Sequence, residues 1–454
     1  MTVIDNGRGS GTPDSHARSR RTAATSSFAL IASAIGTAAT TYLFWVVVAR
    51  RDGADAVGAA SAQIATITFL GGAASLNLTD VLARFLPVAG ERTGRLIRRS
   101  YLAAGCAAAL AAVAFLATPW GSAASAGIGV AGFVGLVVLS ALFLIQDGGL
   151  IGLGKAAWVP IENVTMGVAR LALLPLCALL LATSGYAVLA WGLAMGAAVV
   201  ALNAIVLGRL APRARGRARL PEPRNLRRFV AVESVTSAVA TTVTTFLPAV
   251  VTFSMGTRLG GFFYVPWMVI AIGTLLLSNV LIAAVRESVA EPAAAPSVLR
   301  GQLRLGVVMV TAGTAGCALL PGVPLALLGG DFAHEAGGLL RWLGLALPGS
   351  AVLLLFWALC LILQRPWPVL WVNVAVAGCT VGAVVTYGEA LGLTGVGAVY
   401  FAVQTLVALA VLPVTVRWLR PMLRGTTHTA IPSTADLAPD APPTSVRETE
   451  GETP

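Results

Sequence analysis

SLNLTDVLARFLP, residues 75–87, sets the terms on which the whole chain is read. Asp80 and Arg84 stand four residues apart at the end of an apolar run, Pro87 closes the helix, and the next stretch, VAGERTGRLIRRS, adds four arginines. Two readings are open. In one, an apolar helix leaves a membrane and Arg84 is its snorkelling anchor, paired with Asp80 one turn earlier. In the other, the arginines belong to a site that grips an anion, as a guanidinium can do bidentately.

The composition on either side decides that the helix is a membrane span. Of 454 residues 57% are hydrophobic and 11% charged, with a mean hydropathy of +0.82; soluble domains carry about 25% charged residues. Apolar segments near 27–49, 57–83, 100–118, 125–145, 158–182, 186–208, 229–253, 259–285, 302–320, 337–363, 368–387 and 393–416 are long enough to cross a bilayer as helices. Lipid leaves backbone polar groups unsatisfied, so helices are required, and no alternating pattern favours a barrel. The expected fold is an all-α polytopic membrane protein of about twelve spans.

The basic residues, thirty Arg and one Lys, give the expected orientation. With the N-terminus in the cytoplasm, inside segments hold twenty-six of them and outside turns three (Arg50, Arg51, Arg258). That asymmetry follows the positive-inside rule for N-in, C-in, so the net charge of +11 reflects topology and not nucleic acid. Residues 1–25 and 421–454 read as disordered cytoplasmic tails, 26–208 as one six-helix bundle, 209–228 as a basic linker able to hold anionic lipid headgroups, and 229–420 as a second bundle. PGVPLALLGGDFAHEA, 321–336, has room for a short interfacial helix.

A shift of 202 residues lays segments 7 and 8 on 1 and 2 without a gap, matching Phe44 with Phe246, Gly58 with Gly260, Asn77 with Asn279 and Arg84 with Arg286. The halves run in the same direction, so the bundles are related by a parallel pseudo-two-fold repeat, with a substrate path at their interface.

Several motifs are set aside. GLIGLGKA, 149–156, follows a Walker A loop until Ala156 replaces the magnesium-binding hydroxyl, and no strand precedes it. GIGVAG, 127–132, opens an apolar helix and reads as close packing through small residues. The five cysteines show no CxxC and the three histidines are scattered, so no metal or cofactor is expected. With no GxSxG, HExxH or long external loop, no enzyme is expected.

The charges inside the spans carry the functional reading, because each costs about 2.5–3.5 kcal/mol on insertion scales. Arg170 lies about 18 Å along its helix from the cytoplasmic end, with Asn163 on the same face. It is either paired with a carboxylate on another helix or the cationic wall of a cavity. Glu162 and Glu233 begin segments 5 and 7, where the helix dipole favours acids; for both, and for Asp80, ion coupling is the alternative. Arg341 is an interfacial anchor or a cavity residue. Arg286 with Asn279, at the place matching Arg84 with Asn77, would flank the inner mouth of a central cavity.

LFWVVVARRDGADAVGAASA, LNLTDVLARFLP with its arginine-rich turn, and LIQDGGLIGLGKAAWVPIENV (144–164) together resemble the polysaccharide-biosynthesis flippases of the multidrug/oligosaccharidyl-lipid/polysaccharide exporter superfamily. The likeness covers roughly 27–420 and is clearest in the first 170 residues. It implies a central cavity, alternating access and a bacterial cytoplasmic-membrane location. The implied substrate is an undecaprenyl-diphosphate-linked oligosaccharide bound for the outer leaflet, with a polymerase or glycosyltransferases as partners. A drug or cation antiporter of the same fold is the alternative, and would need a deep carboxylate.

Overall fold

The computed structural model describes residues 13–75, 77–180, 185–211, 242–290, 295–363 and 366–424. All regular structure among them is helical. The helices are α1 (Pro13–Ala74), α2 (Leu78–Phe85), α3 (Thr93–Leu116), α4 (Gly121–Ser125), α5 (Gly129–Gly152), α6 (Trp158–Leu180) and α7 (Gly185–Ile205) in the first half. The second half holds α8 (Leu247–Met255), α9 (Thr257–Ala290), α10 (Ala295–Leu319), α11 (Gly322–Ala326), α12 (Gly330–Leu345), α13 (Leu347–Ile362) and α14 (Pro366–Arg424). α1 begins at Pro13, inside the stretch whose composition reads as a tail. Glu233 and nearly all of the linker 209–228 lie outside the described residues, as do 425–454.

About 20 residues suffice to cross the hydrocarbon core, so two of the helices are each a pair of spans. The apolar part of α1 runs 40 residues and that of α14 runs 57. Both reverse at a single glycine held at positive φ, Gly53 (77°) and Gly392 (62°), where a side chain would be strained. α12 and α13 form one bent span, turning 43° beside Pro348, and Val243–Met255 is the described part of another. Counted this way the described residues hold twelve spans, one of them in part. α11 occupies the loop 321–336, as its composition allows.

The opening stretch folds as a broken span. The helix stops at Ser75, Asn77 takes a left-handed conformation (φ 51°), and α2 restarts at Leu78. α2 buries Leu78, Val81 and Leu82 and leaves Asp80 and Arg84 exposed. Its buried face lies backbone to backbone on α5. A Cβ on Gly148 would come within 2.0 Å of the Thr79 carbonyl oxygen, and the Thr79 hydroxyl donates to the Leu144 carbonyl at 2.9 Å. Within the Walker-like string Gly152 packs in the same way, a Cβ there coming within 2.4 Å of the Leu82 carbonyl oxygen, whereas Gly149 and Gly154 meet nothing within 4 Å.

The two bundles meet through α1 and α9. A Cβ on Gly58 would lie 1.8 Å from the Thr257 carbonyl oxygen, and one on Gly261 would lie 2.0 Å from that of Ala54. These contacts are mates of one another under a shift of 203, as are the positive-φ glycines Gly53 and Gly256. The gap-free shift of 202 is therefore corrected by one residue here. The cause is local: Thr242–Phe246 is a π-helical turn, which takes in one extra residue. Asn279 accordingly does not repeat the geometry of Asn77, since α9 runs unbroken through it.

Burial follows this join. One core cluster takes residues from both bundles, including Phe44, Trp45, Val57, Phe133, Leu247, Phe263, Leu339 and Tyr400, mainly from the helix halves near the Gly53, Gly256 and Gly392 turns. At the other end, among the described residues, each cluster belongs to one bundle: Leu82, Ile97, Ile145 and Val206 in the first, Leu277, Leu281 and Ala358 or Phe356, Cys360 and Val369 in the second. Among the described residues the halves share a core toward the Gly53 end, and toward the arginine-rich end each keeps its own.

Gly58→Val is expected to destabilise the protein in detergent by about 1–3 kcal/mol or more, because the intruding atoms meet rigid backbone. Gly135→Ala, where a Cβ meets nothing within 4 Å, is expected to be neutral or mildly stabilising. Thermal melts of the two variants check this; an unchanged Gly58→Val would remove the close crossing from the account.

Candidate functional site

Arg170 projects from the middle of α6 to the margin of the shared core. Its Nη2 donates to the Thr41 hydroxyl on α1, and its guanidinium carbon lies 5.5 Å from the centre of the Phe44 ring. Tyr264 of α9 is close enough to interact electrostatically and packs edge-on to Trp45 at 4.6 Å. Among the described residues no carboxylate lies within ion-pair distance of Arg170, so the buried ion pair is not what holds it. A hydroxyl and an aromatic face do so instead, which suits a cation in a poorly solvated place. Its Nε is buried without a hydrogen-bond partner. The position is reached because Gly167, one turn earlier, lets α6 close on α1: a Cβ there would meet the Thr40 hydroxyl at 2.3 Å. The side chain itself is only half-buried.

The other expected site residues scatter around this centre. Asn163 is half-buried on α6, two turns nearer the arginine-rich end. Arg84 is exposed at the end of α2 with its guanidinium over Phe85 at 5.7 Å, and Asp80 is exposed on the same helix. Asn279 is exposed on α9; Arg286 lies in the same helix, and its side chain is outside what is described. Arg341 is exposed on α12 and lines a cavity of about 650 Å³ with His334, Leu320 and Val323.

Glu162 departs most from a helix-dipole acid. It is 6% exposed and accepts from the Gln146 amide on α5, whose oxygen accepts from Asn203 on α7 at 2.9 Å. Asp147 lies close enough for its charge to act on Glu162. Sequence spacing gave no sign of this cluster, because its members come from three helices, α5, α6 and α7.

The Gly53 end is fastened by contacts between the bundles. The Thr257 hydroxyl donates to Asp55 at 2.7 Å. Arg50 caps α11, donating to the carbonyls of Leu327 at 2.8 Å and Ala326 at 3.5 Å, and the Tyr42 hydroxyl reaches Pro324. Arg51 pairs locally with Asp52 at 3.7 Å, as the neighbouring charges suggest, and Asp52 also accepts from Tyr186 at 2.6 Å.

Solved structures share this arrangement. An inward-facing multidrug resistance MATE family transporter of the MOP superfamily superposes with a TM-score of 0.62 at 15% identity, over 87% of this chain and 96% of its own. A MATE structure in complex with MaL6 gives 0.58 at 15% identity, over 87% and 97%. An outward-facing MATE transporter of the MOP superfamily gives 0.53 at 15% identity, over 87% and 96%. The fold is that of the MATE transporters. Twelve helices in two bundles, read from the chain itself, agree with these neighbours, and the protein is a multi-pass membrane protein of this architecture. No family profile matches the sequence, and no curated protein does.

Loss of the Arg50 cap should loosen the Gly53 end. Exposed charged contacts are worth up to about 1 kcal/mol, or about fivefold in an equilibrium. Arg50→Ala is therefore expected to raise, severalfold, the alkylation rate of a Thr41→Cys probe by impermeant maleimide added from the Arg50 side. An unchanged rate would show that the cap does not hold the bundles together.

Proposed function

We propose that the protein is an exporter that moves a lipid-linked oligosaccharide, of the undecaprenyl-diphosphate type, across the cytoplasmic membrane by alternating access. The carrying observation is Arg170, a half-buried cation at the margin of the shared core with an orphaned N–H and no carboxylate within ion-pair distance among the described residues. A buried donor without an acceptor is costly, and a diphosphate supplies acceptors of matching charge and geometry. The sequence resemblance to polysaccharide-biosynthesis flippases supports the same cargo.

On this reading the cytoplasm lies at the arginine-rich end, where the bundles share no core. The diphosphate and sugars enter the cleft there while the polyprenyl tail stays in lipid. Exposed Arg84, with Arg92, Arg95, Arg98 and Arg99 nearby, raises the local concentration of anionic headgroups at the entrance. Arg170 holds the headgroup at the roof, and the bundles rock about the Gly58–Gly261 crossing to open the far side. Polymerase or glycosyltransferase partners would act before and after this step.

A drug or cation antiporter is the second reading. Half-buried Asp147 and buried Glu162 favour it, since such exchange needs interior carboxylates, and two of the structural neighbours are multidrug resistance transporters. The two readings differ in the charge of the cargo.

In a strain depleted of this protein, lipid-linked oligosaccharide is expected to accumulate in a pool that external glycosidase cannot reach in spheroplasts. Arg170→Ala should fail to restore exposure and Arg170→Lys should restore it poorly, since an ammonium lacks the bidentate fork. Normal exposure of the glycan together with raised sensitivity to cationic dyes would select the antiporter.

A further inference from the structure

At the end of α10 the chain folds back through α11 into α12, and these elements line the cavity of about 650 Å³ that holds Arg341. One wall is a face of α12. His334, Gly337 and Arg341 fall there at intervals of three and four residues, the spacing that aligns side chains along a helix. Gly337 is buried, yet a Cβ on it would meet nothing within 4 Å, so the middle of this wall is bare backbone with room above it. The other lining is apolar: Leu319, Leu320 and Val323, from the end of α10 and from α11, are all exposed.

The surroundings turn the cavity toward lipid. α10 is apolar over Pro296–Leu319, and that span buries almost nothing inside the protein. Ala326 lines the cavity and accepts from Arg50, three residues before Gly53, so the site lies at the Gly53 end of the spans. Trp342 follows Arg341, a pairing of aromatic and cation suited to the boundary between hydrocarbon and headgroups.

The protein does not balance the charge of this cavity. No carboxylate lines it, and the acids of α12, Asp331 and Glu335, are exposed outside its lining. His334 has Glu335 at 3.9 Å as a partner when protonated, whereas Arg341 makes no ion pair among the described residues. A snorkelling anchor would account for the arginine but not for the space beside it.

We propose that the cavity holds the headgroup of an anionic phospholipid, with its phosphate on the Arg341 guanidinium and the root of an acyl chain along Leu319, Leu320 and Val323. The guanidinium fork matches two phosphate oxygens. A zwitterionic lipid would bring an ammonium that finds no carboxylate in the cavity, and free phosphate would leave the apolar lining uncovered. The lipid lies against α11, whose carbonyls Arg50 caps from the first bundle. Headgroup binding and the fastening of the two bundles thus meet on one short helix. The site belongs to the second bundle and does not depend on which cargo is carried.

The test uses the full-length protein in detergent, titrated with phosphatidylglycerol, phosphatidylcholine, inorganic phosphate or undecaprenyl diphosphate, with the first bound molecule followed by native mass spectrometry. Phosphatidylglycerol is expected to bind at least fivefold more tightly than phosphatidylcholine, since one basic side chain near headgroups is worth about that factor. Arg341→Gln should abolish this preference. Gly337→Leu, which fills the cavity and keeps the arginine, should weaken phosphatidylglycerol binding as much. Arg304→Gln, an exposed arginine on α10 away from the cavity, should change nothing. If Gly337→Leu does not fold, Arg341→Gln carries the measurement. Equal binding of the two phospholipids, or a preference that survives Arg341→Gln, would overturn the proposal. So would inorganic phosphate binding as tightly as phosphatidylglycerol, or undecaprenyl diphosphate displacing it, which would make this a cargo site.

Discussion

The architecture rests on one place where backbone touches backbone. At Gly58 and Gly261, helices from the two halves approach so closely that neither position has room for a methyl group. In a bilayer apolar side chains gain little by leaving lipid for one another, so helix association relies on close packing and polar contacts. The crossing supplies the first and the Asp55–Thr257 hydrogen bond the second, within a few residues of the pseudo-two-fold axis. Because both lie at one end of the spans, the shared core forms there, and the opposite ends are free to build separate cores.

The charges are partitioned accordingly. The interior arginine stands where the bundles meet, held by a hydroxyl from α1 and the Phe44 ring, with Tyr264 of the second bundle nearby. The interior acids sit inside the first bundle, on helices that pack only among themselves at that depth. Separation keeps them from neutralising one another. A paired Arg170 and Glu162 would satisfy one another, whereas apart each keeps a buried polar atom without a partner, Arg170 Nε and Glu162 Oε2.

Much of this was legible in the chain because membrane insertion depends on composition. Span number, the helix at 322–326 and the depth of Arg170 follow from runs of about 20 apolar residues and the few polar ones that interrupt them, whereas the break beside Asn77 falls inside a segment, 57–83, that reads as continuous. The repeat was legible too, but only to within one residue. A π-helical turn at Thr242–Phe246 inserts its extra residue without any change of composition, and that displaces the mate of Gly58 from Gly260 to Gly261.

The sequence by itself determined a twelve-span helical protein with an interior arginine, since hydrophobic length and charge are properties of the chain read in order. Tertiary structure alone decided which residues share a site. Thr41 with Arg170, and Tyr101, Gln146, Asp147, Glu162 and Asn203 with one another, are brought together from different helices. No spacing within one helix encodes such a meeting, because it depends on the rotation and depth of each helix against its neighbours. Those are set by close contacts such as Gly148 on Thr79 and Gly167 on Thr40, whose partners lie tens of residues away or more.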